Sequence, residues 1–185
     1  MRFGIPLYGD SAALHDSIVG IPGAFSETVG GLLNLAANQS FIELRVVVQK
    51  RNLHRLGKIV SFVGRNLPFV GRIAFMAMEP QGWARAAWLD LWPDPMDYHE
   101  ELIDAAETAE RMAIPLLLYN YQLCVLPTSL RRLARCSISD WKNVFIKECS
   151  PCPSRSRCAG FFQSQNKPEH ISKGVTPLSA AATRP

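Results

Sequence analysis

Three cysteines stand close together near the end of this 185-residue chain. Cys149, Cys152 and Cys158 form the array Cys-x2-Cys-x5-Cys within the stretch KECSPCPSRSRCAGFF. A gap of two residues allows two thiolates from one turn to bind the same ion or cluster. The array therefore predicts that this segment holds a metal ion or an iron–sulfur cluster.

A fourth ligand is expected, because structural zinc and iron–sulfur clusters usually take four protein ligands. Cys124 is the preferred candidate since it directly follows the last predicted strand, and Cys136 and His170 are its competitors. Zinc, at about 2.3 Å from each sulfur, would only staple the fold, whereas an iron–sulfur cluster could also carry electrons or bind a substrate. The spacing alone leaves both open.

The composition favours a globular protein of the cytoplasm. Apolar residues make up 48% and charged residues 19% of the chain, and the five cysteines all lie in its last third. Clustered thiols in an odd number are typical of metal binding in a reducing compartment, rather than of a secreted disulfide framework. The 20 basic and 16 acidic residues are spread along the chain. Neither nucleic acid nor a membrane is therefore predicted as a partner.

Apolar runs alternate with helical patterns through the first two thirds of the chain, which predicts an α/β fold with about four parallel strands. Asn52 and Asp94 are predicted to cap helices, and His15 and Asp16 are assigned to a turn. Four strand–helix units equal half of a closed eight-stranded barrel. The strands are predicted at 2–9, 41–49, 69–78 and 114–122, and the helices at 23–38, 53–66 and 94–113.

The character of the sequence changes near Leu123, where Pro, Cys and Ser become frequent. Three regions are predicted: a barrel-like part at 1–122, a cysteine-bearing extension at 123–166, and a polar tail at 167–185 that is expected to be frayed. Within the extension, short helical patches are predicted at 128–135 and 138–145.

The extension resembles the C-terminal part of the His-Xaa-Ser system radical SAM maturases, which modify small ribosomally made peptides. The similarity lies in YNYQLCVLP, SISDWKN and CSPCPSRSRCAGFF. In addition, HDSIVGIPGAFSETVGGLLNLA, RVVVQKRNLHRL and MEPQGWAR are similar to the fourth, fifth and sixth strand–helix units of a radical SAM partial (β/α) barrel. The resemblance spans residues 3–178. It implies a truncated radical SAM barrel followed by a cysteine-rich extension, acting in post-translational modification of a small precursor peptide.

The resemblance also implies which residues bind cofactors. Cys124, Cys149, Cys152 and Cys158 would hold an auxiliary 4Fe-4S cluster, which favours iron–sulfur over zinc. Met78, with Met76 as second choice, would lie against the adenine of S-adenosylmethionine.

One departure from the family pattern is pronounced. Residues 1–123 contain no cysteine, so the Cys-x3-Cys-x2-Cys loop that holds the cluster for cleaving S-adenosylmethionine is absent. The resemblance then implies a fragment, a mis-set start or one piece of a split protein, without activity on its own. Its partner would be the missing N-terminal half or a sister radical SAM protein. The alternative is a non-catalytic, zinc-stapled module that binds another protein.

Overall fold

The computed structural model describes residues 1–136, 144–165 and 167–179. The chain divides into two compact units, each built from separate stretches. The first unit comprises residues 1–75 and 100–117, and the second comprises 76–99 and 118–185. These divisions fall at other places than the ones predicted after residues 122 and 166.

A five-stranded parallel sheet forms the architecture, and its strands follow one another in sequence order. The α/β prediction and all four predicted strands are thereby confirmed. The strands are β1 (Arg2–Pro6), β2 (Phe41–Val47), β3 (Arg72–Met76), β4 (Leu116–Tyr119) and β5 (Ala134–Arg135).

The sequence does not predict the fifth strand. It consists of two residues, and Ala134 and Arg135 pair in parallel with Leu118 and Tyr119 of β4. The helical patch predicted at 128–135 is confirmed in part, because Thr128–Leu133 forms a 3₁₀ helix, whereas Ala134 and Arg135 form this strand. A segment this short has too few hydrogen bonds to offset the cost of starting an α-helix. Most of the patch predicted at 138–145 lies outside the described residues.

Helices lie between the strands, as the alternating pattern predicts. The predicted segment 53–66 begins as a 3₁₀ turn at Leu53–Arg55 before becoming α-helical. The helices are α1 (Ala12–Val19), α2 (Ala24–Ala37), α3 (Leu56–Asn66), α4 (Gly82–Ala86), α5 (Trp88–Leu91) and α6 (His99–Arg111). No single helix among the described residues is long and apolar enough to cross a membrane. Taken together, α1 and α2 meet those criteria by length and composition, with a bend of 103° between them.

The core of the first unit is built around β2. Ile42, Leu44 and Val46 have no exposed surface. Glu43 on the same strand is also buried, and its carboxylate accepts hydrogen bonds from the guanidinium groups of Arg45, at 2.7 Å, and Arg72, at 2.6 Å. A buried charge is tolerated when it is paired in this way.

The turn predicted at His15 and Asp16 is wrong, because both residues lie within α1. Asp16 accepts hydrogen bonds at 2.7 Å from the backbone N–H groups of Gly23 and Phe25, at the start of α2. Gly23 has a φ of +86°, which favours glycine. The carboxylate therefore satisfies amide groups that the helix itself leaves unpaired.

The two predicted caps have different outcomes. The Asn52 side chain makes no cap hydrogen bond. It accepts from the backbone N–H of Gln49 at 2.9 Å and donates to the carbonyl oxygens of Tyr8 at 3.2 Å and Val47 at 3.1 Å. Asp94 does cap through the N–H of Met96. However, the element that it caps is a 3₁₀ turn at Pro95–Asp97, and α6 begins only at His99.

The segment predicted as a frayed polar tail is ordered through most of its described part. Pro168–His170 forms a 3₁₀ turn, and His170 and Ser172 are buried. Ser172 Oγ donates to the Asp94 carboxylate at 2.5 Å, and the backbone N–H of Lys173 donates to the same carboxylate at 2.9 Å. Hydrogen bonds to Asp94 and the burial of His170 and Ser172 thus fix this segment within the second unit despite its polar composition.

Candidate metal centre

Four cysteines of the second unit line one cavity. They are Cys124, Cys149, Cys152 and Cys158, the four that the sequence predicts as ligands. The empty volume of the cavity, which includes space open to solvent, is about 370 Å³. The rest of the lining is mostly apolar and is formed by Gln122, Leu123, Phe145, Glu148, Ser154, Val175, Thr176, Pro177 and Leu178.

Short turns carry the four thiols to the cavity. Cys124 lies in the 3₁₀ turn Leu123–Val125, shortly after β4, and Cys149 ends the turn Lys147–Cys149. The N–H of Cys152 donates to the carbonyl oxygen of Cys149 at 3.1 Å, and the N–H of Cys158 donates to that of Arg155 at 3.2 Å. Prolines at 151 and 153 lack an N–H and disfavour helix before them, so this sequence forms successive turns instead of one helix.

The base of the cysteine loop is closed by hydrogen bonds. Val144 and Phe161 form an antiparallel bridge, with N–H to oxygen distances of 2.7 and 2.8 Å. Gln122, two residues before Cys124, donates through Nε2 to the Gly160 carbonyl oxygen at 2.7 Å, in buried surroundings. Gly160 has a φ of +65°, and a Cβ there would come within 3.0 Å of the Val144 carbonyl oxygen. These bonds connect the turn of Cys124 with the loop that carries the other three cysteines.

The cavity environment opposes charge on the thiols. Burial raises the pKa of Cys124, Cys149 and Cys158, and each of the three also has its pKa raised by neighbouring cysteines. Backbone hydrogen bonds, from Thr176 to Cys124 for example, act in the opposite direction. A bound cation would act against these shifts at Cys124, Cys149 and Cys158, since a metal ion reverses the electrostatic balance at its ligands.

The two competing ligands lie in the second unit, and one of them, Cys136, is near enough to Cys158 to raise its pKa. Cys136 is exposed, and its Sγ is 3.8 Å from the Ser156 carbonyl oxygen. His170 is buried against Trp88, with ring centroids 5.2 Å apart, and its Nδ1 is 3.2 Å from the Ser164 carbonyl oxygen. Neither residue lines the cavity. Among the three candidates for the fourth ligand, only Cys124 shares the cavity with the array.

Sharing a cavity does not by itself make these four cysteines a finished metal site. Among the described residues, no group of three or more His, Cys, Asp or Glu side chains could hold a metal ion as it stands. A zinc ion needs its four sulfurs at about 2.3 Å from one centre. An iron–sulfur cluster likewise needs its cysteine sulfurs within bonding distance of its irons, so the arrangement as it stands selects neither group.

No protein-family model matches this chain, and no curated protein or solved structure matches it either.

One cavity residue has a polar group that the described part of the chain leaves unpaired. Ser154 is 1% exposed and lines the cavity, and its Oγ has no hydrogen-bond partner among the described residues. A buried hydroxyl without a partner costs about 1–3 kcal/mol. Four thiols, apolar walls and an unpaired hydroxyl together fit a bound group that accepts hydrogen bonds, as the sulfurs of an iron–sulfur cluster do.

Sequence reasoning misses two parts of this lining. Nothing in the sequence distinguishes Ser154 from Ser150 and Ser156 in the same loop, although those two are exposed. The segment 175–178 falls within the predicted polar tail because its neighbours are polar. Its composition, Val-Thr-Pro-Leu, is the available signal that it packs against something.

The predicted cofactor contact at Met78 lies outside this cavity. Met78 is 6% exposed and follows the end of β3 by two residues, whereas Met76 is the last residue of β3 and is partly exposed. A buried methionine after a strand is compatible with core packing. The contact with S-adenosylmethionine stays a prediction.

Proposed function

We propose that this chain binds a 4Fe-4S cluster through Cys124, Cys149, Cys152 and Cys158, as the auxiliary-cluster part of a radical SAM peptide maturase. The observation that carries the proposal is that these four thiols line one cavity, while Cys136 and His170 do not. The preference for a cluster over a zinc ion rests on the family resemblance of the cysteine-bearing segment, because four thiolates suit either group.

The number of thiols bears on what such a cluster would do. Four cysteines supply one ligand to each of four irons, which leaves no iron open for a substrate. A fully ligated 4Fe-4S cluster supplies one-electron transfer. The proposed role is therefore to accept an electron from the peptide during its modification, rather than to bind the peptide directly.

The radical SAM assignment is supported by the sequence motifs and by the coarse architecture. Parallel strands that follow one another in sequence order are what a partial (β/α) barrel requires. Since residues 1–123 contain no cysteine, the cluster that cleaves S-adenosylmethionine would have to be held outside this sequence. A sister radical SAM protein or a further polypeptide segment is proposed to supply it, and a small precursor peptide is the proposed substrate.

The test is anaerobic loading of the chain with iron and sulfide, followed by metal and sulfide analysis. We expect about four irons and four sulfides per chain. Single Cys→Ser variants at positions 124, 149, 152 and 158 should lose most of this content. Cys136→Ser is the matched control, because Cys136 is exposed and lies outside the cavity lining. Its iron content should equal that of the wild type.

Two results would contradict the proposal. Anaerobically purified protein with one zinc per chain, and no uptake of iron and sulfide, would support the zinc-stapled module instead. We expect the loaded chain alone to release no deoxyadenosine from S-adenosylmethionine. Any release would contradict the proposal that the cluster which cleaves S-adenosylmethionine is held outside this sequence.

A further inference from the structure

Ser154 is a buried serine whose hydroxyl does not cap the turn that follows it. It precedes the 3₁₀ turn Arg155–Arg157, where a serine often caps, yet its side chain makes no cap hydrogen bond. Its Oγ is buried and has no partner among the described residues. Ser150, in the same loop and next to Cys149, is exposed to solvent. Burial of Ser154 therefore calls for an acceptor that the described polypeptide does not provide.

The cavity offers a place for that acceptor. Ser154 lines the space that the four thiols also line, and in sequence it lies between Cys152 and Cys158. A serine hydroxyl has one proton to donate. Sulfur atoms of a bound cluster, whether from cysteine or from inorganic sulfide, carry negative charge and accept hydrogen bonds.

We infer that the Ser154 hydroxyl donates a hydrogen bond to a sulfur of the bound cluster and raises its reduction potential. This inference rests on the proposed function, since it requires a cluster in the cavity. Reduction adds one electron, and hence one negative charge, to the cluster. A donor pointing at its sulfur stabilises the reduced form more than the oxidised form.

The experiment compares wild type, Ser154→Ala, Ser154→Thr and Ser150→Ala, each loaded with iron and sulfide and titrated with dithionite. Removal of the hydroxyl in Ser154→Ala should disfavour reduction about tenfold in the equilibrium constant, equivalent to about 59 mV for one electron. Ser154→Thr keeps a hydroxyl and should restore most of the potential. Ser150→Ala removes an exposed hydroxyl of the same loop and should leave it unchanged.

A second readout follows the proton itself. In the reduced wild-type protein, electron–nuclear double resonance should detect an exchangeable proton coupled to the cluster, which disappears in D₂O. The same signal should be missing from Ser154→Ala. Iron content is measured alongside, so that a change in potential is not confused with loss of the cluster.

The possible failures are distinguishable. A wild-type chain that takes up no iron and sulfide overturns both proposals. A loaded wild type whose potential and proton coupling equal those of Ser154→Ala overturns the inference alone. If Ser154→Ala takes up no cluster, the Ser154→Thr variant decides. Uptake of a cluster by Ser154→Thr at the wild-type level, with the wild-type reduction potential, supports the hydroxyl donor. If Ser154→Thr takes up no cluster, or its potential differs from that of the wild type, the inference is overturned.

Discussion

The first unit satisfies its own buried polar side chains. His15, Glu43 and Asn52 are buried there, and each has hydrogen-bond partners within that unit. In the second unit, four thiols line a cavity and the buried Ser154 hydroxyl lacks a partner among the described residues. Buried polar groups in proteins are nearly always paired. The comparison places the one unpaired buried hydroxyl of the described residues beside the proposed cluster site, and not in the first unit.

Metal removal gives the sharpest test of this difference. Ligand binding energy becomes folding energy when the site forms only in the folded state, and it reaches about 10–16 kcal/mol in structural zinc sites. Chelation of the loaded protein should therefore accelerate tryptic cleavage at Lys147, Arg155 and Arg157 by tenfold or more. Cleavage at Arg51 in the first unit should change little. Mass spectrometry of the fragments measures the cleavage rate at each site. If chelation accelerated cleavage equally in both units, the proposed difference between the two units would be contradicted.

The first unit should instead depend on its apolar core. Leu44→Ala removes a side chain without exposed surface from β2 and should lower the free energy of unfolding by about 2–5 kcal/mol. Leu33 on α2 is 52% exposed. Leu33→Ala is therefore the control, with an expected effect within about 0.5 kcal/mol. Urea denaturation measures both variants, and similar losses would contradict this account of the core.

The Asp16 carboxylate provides a smaller test of polar pairing in the first unit. Asp16→Ala removes the acceptor for the N–H groups of Gly23 and Phe25. We expect the unfolding free energy to fall by about 1–2 kcal/mol, as for loss of a helix cap. Asp16→Asn keeps one acceptor oxygen and should lose less. An alanine variant as stable as the wild type in urea denaturation would show that these bonds contribute nothing.

His15 should give the smallest effect, as a dependence of stability on pH. Burial lowers its pKa, and neighbouring Asp16 partly opposes this. Its Nδ1 accepts from the backbone N–H of Tyr8 at 3.1 Å, so protonation at Nδ1 would break that bond. The unfolded chain binds the proton more readily, with a pKa near 6.5, so stability should decline as the pH falls below about 6.5.

The matched variant for this effect is His15→Gln, whose stability should depend less on pH between about 7.5 and 5.5 than that of the wild type. Urea denaturation at these two pH values gives the comparison. Identical pH dependence in both proteins would assign the titration to other groups.

The four longer strands could be predicted because runs rich in apolar and β-branched residues, such as FIELRVVVQ, indicate a strand without knowledge of its neighbours. The two residues of β5 carry no such signal, since their pairing with β4 is decided by the turn at Thr128–Leu133. Likewise, Asn52 has the residue type of a cap. Its bonds to Tyr8 and Val47, which a local pattern does not reveal, decide its role.

The candidate site divides in the same way. Cys149, Cys152 and Cys158 are close together in sequence, so their spacing alone predicts that they lie at the same site. Cys124 is more than 20 residues away in sequence from the other three cysteines. Its position after a strand only suggests that it reaches the same cavity. Ser154 and the segment 175–178 could not be found, because burial of one serine among three, or of a short apolar stretch among polar residues, depends on what packs over it.

The segment 175–178 also has a protective consequence. Iron–sulfur clusters are destroyed by dioxygen, which reaches them wherever a side of the pocket is open to solvent. Val175, Pro177 and Leu178 close part of the cavity with hydrocarbon. If the proposed cluster is bound, we expect a recombinant chain that stops at Gly174 to keep all four sulfurs and to bleach faster in air.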